Sequence, residues 1–248
     1  MSLLRRVCVA AAPVATAALA FIPAAQAMSV SPMVIDMTTA GKNNHSQLSV
    51  LNDSGKPLPV EIIISRIDMT EDGKIVPKPA GDEFLVFPPQ AMVAPGATQV
   101  FRVQWVGNEL KTSQSYSFSV NQVPVKLPKS KSGVQVVFNF GCIVNVAPLK
   151  GKPAIKLLTS TTYQDKKGKK HPQITVKNPG TIYAKLTDAT IKLASGSWSQ
   201  TLTPSKLRET MGIGLIQPGK TRKFKIPVDL PSGVTSITAN INYAPPKK

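Results

Sequence analysis

Apolar residues in this chain recur mostly at every second position, in short runs rich in Val, Ile, Thr and Phe. Side chains of a strand point alternately to opposite faces, so this period predicts strands with one buried face. Such runs lie at residues 46–51, 60–67, 98–105 and 115–123, and again at 154–159, 173–176, 183–193, 221–228 and 236–243. Asn, Asp, Gly and Pro punctuate them, and only residues 204–211 read as a short helical turn. Strands at this spacing, with turn signals between them, predict β-sandwiches. One run stands apart. Residues 134–147 read as a single strand of about fourteen residues, where five or six is usual, spanning roughly 45 Å. Its Val134, Val136, Phe138, Phe140, Cys142, Val144 and Val146 form an unbroken apolar row, while the opposite row mixes Gln135, Asn139 and Asn145 with Val137, Gly141 and Ile143. Such a strand is either buried on both faces or lends one row to a partner.

A weak repeat divides the chain. Pro95-Gly96-Ala97-Thr98-Gln99-Val100-Phe101-Arg102-Val103 matches Pro218-Gly219-Lys220-Thr221-Arg222-Lys223-Phe224-Lys225-Ile226 as Pro-Gly-x-Thr-x-x-Phe-basic-apolar. Some forty residues upstream stand Leu51-Asn52-Asp53-Ser54-Gly55 and Val176-Lys177-Asn178-Pro179-Gly180. Pro-Gly makes a turn that launches a strand, and two such turns at similar spacing predict two sandwiches of related layout. The expected boundaries are an N-terminal domain at 28–147, a hinge at 148–153 and a C-terminal domain at 154–248.

The first 27 residues read as a secretory signal peptide. Arg5 and Arg6 precede an apolar, Ala-rich stretch, and Ala25-Gln26-Ala27 is a small-x-small site with cleavage expected after Ala27. Pro13 and Pro23 break the stretch, and no polar stop-transfer flank follows, so membrane insertion is not expected. Cys8 leaves with that peptide, and Cys142 is then the single cysteine. An exported chain without an internal disulfide needs a core large enough to stand unstapled, and on its apolar row Cys142 reads as buried and inert. Without Arg5 and Arg6 the formal charge of +17 falls to about +15. The lysines gather in turn-like runs at 126–131 and 166–170 with few aromatics between them. That pattern suits solvated loop charge better than a nucleic-acid platform, so no nucleic-acid partner is expected.

Catalytic apparatus is sparse. His45 and His171 stand in polar segments without Cys, His or carboxylate neighbours at ligand spacing, so no metal is expected. Neither a Gly-x-Ser-x-Gly elbow nor a phosphate-cradling glycine loop occurs. No catalytic residue and no cofactor are assigned, and the chain is not expected to be an enzyme.

A signal peptide, two sandwiches and a long apolar strand closing the first resemble the PapD-like periplasmic chaperones of the chaperone–usher pilus pathway. The resemblance covers the chain beyond the signal peptide. It rests on Ser29-Val30-Ser31-Pro32, Leu51-Asn52-Asp53-Ser54-Gly55-Lys56-Pro57, Phe87-Pro88-Pro89 and Val93-Ala94-Pro95-Gly96. It continues through Phe101-Arg102-Val103, the run from Tyr116 to Pro124, and Asn178-Pro179-Gly180. It implies an all-β fold of two consecutive immunoglobulin-like sandwiches set at an angle. It also implies a Gram-negative periplasmic chaperone that stabilises pilus subunits by donor-strand complementation and delivers them to an outer-membrane usher. The donated row would be Val134, Val136, Phe138 and Phe140, preceded by a loop at 126–133. Four fully buried side chains of this kind would contribute on the order of 6–12 kcal/mol before association costs.

Two departures accompany the resemblance. Family members anchor the subunit's terminal carboxylate with an arginine and a lysine, where this chain has Val34 and Ile143. Arg66, Arg102 and Lys126 are the replacement candidates. The family's interdomain ion network also lacks its residues, since Ser113 and Ala147 occupy the first domain's positions. Both changes resemble the archaic branch, whose partners are spore-coat-U-like subunits. Two other classes stay open: an exported adhesive or structural sandwich component of a pilus or cell surface, and a basic polyanion-binding module.

Overall fold

The computed structural model describes residues 28–124 and 137–245. In chain order the strands are β1 (Ser29–Ser31), β2 (Val34–Thr38), β3 (His45–Leu51), β4 (Leu58–Met69), β5 (Ile75–Pro79), β6 (Phe84–Phe87), β7 (Gln90–Val93), β8 (Thr98–Trp105), β9 (Gln114–Gln122) and β10 (Asn139–Ala147). There follow β11 (Lys156–Gln164), β12 (Lys170–Lys177), β13 (Ala184–Lys185), β14 (Ala189–Ser195), β15 (Trp198–Leu202), helix α1 (Pro204–Met211), β16 (Leu215–Ile216), β17 (Thr221–Lys225) and β18 (Thr238–Tyr243). The architecture is nearly all β, in two consecutive immunoglobulin-like sandwiches.

In the first sandwich a four-stranded sheet, β1-β3-β8-β6, faces a larger one ordered β2-β10-β9-β4-β5, with β7 also on β4. Alternation sends Leu48, Val50, Phe101 and Val103 inward from one sheet and Tyr116, Phe118, Val120, Cys142, Val144 and Val146 inward from the other. Phe84 joins the layers, meeting Trp105, Tyr116 and Phe118 edge-on at centroid distances of 5.1, 4.8 and 4.9 Å. The second sandwich packs β11-β12-β17 against β15-β14-β18, with Ile174, Val176, Ile191, Leu193 and Phe224 in its core. Helix α1 closes that core with the fully buried Leu207. Thr203 caps it, Pro204 occupies its first turn, and Gly212 follows it at φ 63°.

The repeat seen in the sequence is a repeated hydrogen-bonded corner. Asn52 and Asn178 are both fully buried. The carbonyl of Asn52 accepts from Gly96 N at 2.8 Å, and that of Asn178 from Gly219 N at 2.8 Å. Asn52 Nδ2 donates to the carbonyls of Lys56 and Val93, and Asn178 Nδ2 to those of Ile182 and Ile216. Each Oδ1 accepts from the amide two residues on, Ser54 in one case and Gly180 in the other. Gly96 and Gly219 hold φ of 69° and 73°, which a side chain would strain. One buried amide thus satisfies the orphan carbonyls of two chain segments in each sandwich.

Most predicted runs became strands, and residues 98–105 and 204–211 coincide with β8 and α1. Residues 183–193 do not form one strand. The chain breaks into β13, a 3-10 turn at Leu186–Asp188, and β14, with the Leu186 amide bonded to Gly214 O while its side chain fills the core. The long run is shorter than expected too: β10 begins at Asn139, and residues 134–136 lie outside the described residues. The Ser31–Pro32 and Phe87–Pro88 bonds are cis.

Truncating Asn52 or Asn178 to Ala strands the buried carbonyls each one serves, so each substitution should cost about 3 kcal/mol. Urea titration of each variant checks this; an unchanged midpoint would contradict the corner's role. Cys142 is fully buried, and desolvation pushes its thiol up to about 11. The folded chain should therefore resist iodoacetamide at pH 8 and react on addition of urea, read by intact mass.

Candidate functional site

Strand β10 has two unlike halves. From Cys142 to Ala147 it is buried on both faces, and from Ile143 to Val146 it is paired on both edges. Cys142, Val144 and Val146 fill the first core, while Ile143 packs outward against Ile67 and Leu215. Asn145, also fully buried, accepts from Ser115 Oγ at 2.8 Å and donates to Asp36 Oδ1 at 3.1 Å. Antiparallel β9 flanks this half on one side and parallel β2 on the other.

The half before Cys142 has lost one neighbour. Strand β2 joins with Val34 beside Ile143, where Ile143 N donates to Met33 O at 3.0 Å. Gln122 N donates to Phe138 O at 2.9 Å, which places 138, 140 and 142 among the residues whose amides face β9. By that alternation the main-chain groups of Asn139 and Gly141 point to the opposite side, where no strand pairs with them among the described residues. Phe138 and Phe140 are half-buried against the first core, whereas Val137 is 44% exposed. An open row of donors and acceptors beside two aromatic side chains is suited to accepting another strand. Because both phenylalanines already touch their own core, each has less area to bury on a partner than a freely exposed side chain.

The other residues singled out in the sequence are dispersed. Val134, Val136 and Lys126 lie outside the described residues. Arg66 is exposed on β4, on a ladder rung shared with Tyr116 and Val144. Arg102 is exposed on the outer face of β8, the cross-strand partner of Phe87 on β6 of the same sheet. Val34 and Ile143 are cross-strand neighbours, so the two apolar substitutions occupy one place.

The structure also corrects two sequence expectations. The sandwiches are tied together ionically after all, by Lys185 and Asp36. Ser113 contributes through hydrogen bonds, its amide to Thr181 O at 2.9 Å and its hydroxyl accepting from Tyr183 N at 2.6 Å. Gln217, 6% exposed, clamps β4 by donating to Ile67 O and accepting from Met69 N, both at 2.8 Å. Nothing in the local pattern marks Gln217, because its partners lie some 150 residues away. His171 does have carboxylates beside it: Asp165 Oδ2 lies 3.2 Å from Nε2 and Asp229 Oδ1 lies 3.4 Å from Nδ1, brought there by the β11–β12 hairpin and the later loop. The hydrogen bond to His171 is foremost in holding the Asp165 carboxyl below its usual range. Among the described residues, no group of three or more His, Cys, Asp or Glu is placed to hold a metal ion.

Comparison with known proteins places this geometry. Residues 28–148 match the family model described as "Pili and flagellar-assembly chaperone, PapD N-terminal domain". No curated protein sequence matches the chain. Among solved structures, the class 5 fimbriae chaperone CfaA is similar at 13% identity and a TM-score of 0.53, over 88% of this chain and 99% of that one. The archaic chaperone–usher CsuC–CsuE complex of Acinetobacter baumannii Csu pili gives 15% identity and 0.50, over 81% and 91%. The Salmonella enterica SafA pilin–SafB chaperone complex gives 15% and 0.51, over 81% and 84%. At these identities the likeness speaks for the fold. The family rests on the match across the whole first sandwich: this chain carries the PapD N-terminal domain of the pili and flagellar-assembly chaperones and belongs with them.

Proposed function

We propose that this chaperone stabilises pilus subunits by donor-strand complementation in the periplasm and delivers them to an outer-membrane usher. The observation that carries the reading is the open edge of β10 at Asn139 and Gly141, flanked by Phe138 and Phe140. A subunit strand laid along that edge would take up the free main-chain groups while the aromatic rings enter its groove. Chaperone–pilin donor-strand complementation is a known instance of such strand addition. The donated row extends back through Val136 and Val134. The complexes of CsuC with CsuE and of SafB with SafA contain chaperones of this fold, which supports a subunit as the partner here. The archaic resemblance favours subunits of the spore-coat-U-like kind.

We take residues 28–147 and 154–248 as the two domains and 148–153 as their hinge, pinned where Lys152 O accepts from Thr181 N at 3.1 Å. The export signal is residues 1–27, cleaved after Ala27. Among the described residues no helix is long and apolar enough to cross a membrane.

Co-expression with the subunit of a neighbouring gene tests the reading. Phe138→Asp and Phe140→Asp should each leave a folded chaperone and reduce subunit capture at least tenfold; full capture by both would sink the donor-strand assignment. Arg66 and Arg102 lie in different sheets and cannot both grip one carboxylate. At most one of Arg66→Gln and Arg102→Gln should therefore weaken capture, and equal losses in a pull-down would rule out a single anchor among them.

A further inference from the structure

Away from the open edge, on the far side of β9, a cavity of about 480 Å³ lies between the two sandwiches. Met69 and Asp72 line it from the first domain, and Met211, Ile213, Leu215 and Phe224 supply most of its apolar wall from the second. Arg222, Lys223 and Lys225 line it as well.

Arg222 is the unusual member. It is 7% exposed, yet no carboxylate lies within ion-pair distance of it among the described residues. Its Nη1 donates to Leu215 O at 2.6 Å and meets Met69 Sδ at 3.0 Å. Its Nε is buried without a partner, and the described residues give Nη2 no hydrogen bond. The guanidinium also lies 4.9 Å from the ring centre of Phe224. The adjacent Asp72 is 78% exposed and turns to Lys223 at 3.5 Å. A carbonyl, a thioether and a ring do not neutralise a charge taken out of water, and an uncompensated buried charge is costly. A strut between domains explains the bonds of Nη1 but leaves Nε and Nη2 unemployed. Guanidinium is the side chain whose paired N–H groups match a carboxylate.

We propose that this interdomain cavity binds an anionic ligand with an apolar body, a carboxylate on an aliphatic or aromatic chain, with its head on Arg222. The Met, Ile, Leu and Phe wall receives the body, and Lys225 adds positive potential beside it, Lys223 being paired with Glu71 and Asp72. The carboxylate can come from a free amphiphile or from the apolar C-terminal residue of a polypeptide. The site is independent of the donor edge, so subunit capture by β10 and ligand binding here succeed or fail separately.

Isothermal titration of the purified chain tests this, using octanoate and N-acetylphenylalanine against the neutral 1-octanol and N-acetylphenylalaninamide. One carboxylate of either kind should bind per chain at least tenfold more tightly than its neutral counterpart. Binding of octanoate alone assigns the site to a free amphiphile, and of N-acetylphenylalanine alone to a polypeptide terminus. Arg222→Met should abolish binding, and Asp72→Asn, on an exposed turn, should tighten it severalfold. If Arg222→Met does not fold, Asp72→Asn and Lys225→Gln decide: the first must tighten and the second weaken binding. Equal affinity for the neutral compounds, equal affinity for inorganic phosphate, or unchanged affinity in both surface variants would overturn the proposal.

Discussion

The hydrogen bond from Ile143 N to Met33 O marks where β10 stops being an edge and becomes interior. From that bond onward β2 pairs with it residue by residue, Ile143 to Ala147 against Val34 to Thr38. Burial follows the pairing: Cys142, Val144, Asn145 and Val146 are all 0% exposed. Once both edges are paired, even Asn145 can be interior, because Ser115 and Asp36 satisfy its amide. The first core is closed by this half of the strand. The half before it keeps its pairing to β9 and its two phenylalanines on the core, but its other edge is not needed to close the sheet.

That freedom is unusual for a strand edge. Sheets commonly protect an edge with lysine, proline, a bulge or a covering loop, since unpaired main-chain groups invite association with other chains. Residues 137–141 carry neither lysine nor proline, and Asn139 and Gly141 leave the edge narrow and accessible. The row beside it is aromatic. An edge left unprotected next to two phenylalanines is a hazard unless a partner strand uses it, and this physical contrast favours a binding role over a purely structural one.

The fold was legible in the sequence wherever one face of a strand is buried and the other wet, because that condition alone writes a period of two. Strand β8, with Phe101, Val103 and Trp105 inside and Arg102 and Gln104 outside, is the clear case. Strands β5, β6 and β7 escape the periodic pattern because they are short: β5 is exposed at every position, and β6 and β7 turn only two residues each inward. The length of β10 was overread for the converse reason: an apolar row continues through Phe138 whether or not the backbone is in a ladder. Of the site, the alternation revealed the side chains but not the open edge. An edge is open or closed according to what lies beside it, and β2 is some hundred residues earlier in the chain. The Asn52 and Asn178 corners were visible only as a repeated Asn and Pro-Gly. Their shared hydrogen bonds explain why those residue types recur together.

Position 143 shows why an ionic grip at the end of the edge and an apolar joint between the sandwiches exclude each other here. Ile143 is 6% exposed and packs with Ile67 and Leu215, with Met69, Tyr183 and Ile213 around them. A lysine at this site would bury an ammonium among these groups or break the contact to reach water, and either course is costly. Val34, its cross-strand neighbour, is apolar as well. The polar ties are displaced to the periphery of this joint, where Gln217 clamps β4, Ser113 meets Thr181 and Tyr183, and Lys185 pairs with Asp36. Each of those groups finds a partner without interrupting the apolar contact. The absence of a lysine from β10 is therefore a consequence of how the two sandwiches are joined. At position 143 this joint leaves no place for a cation.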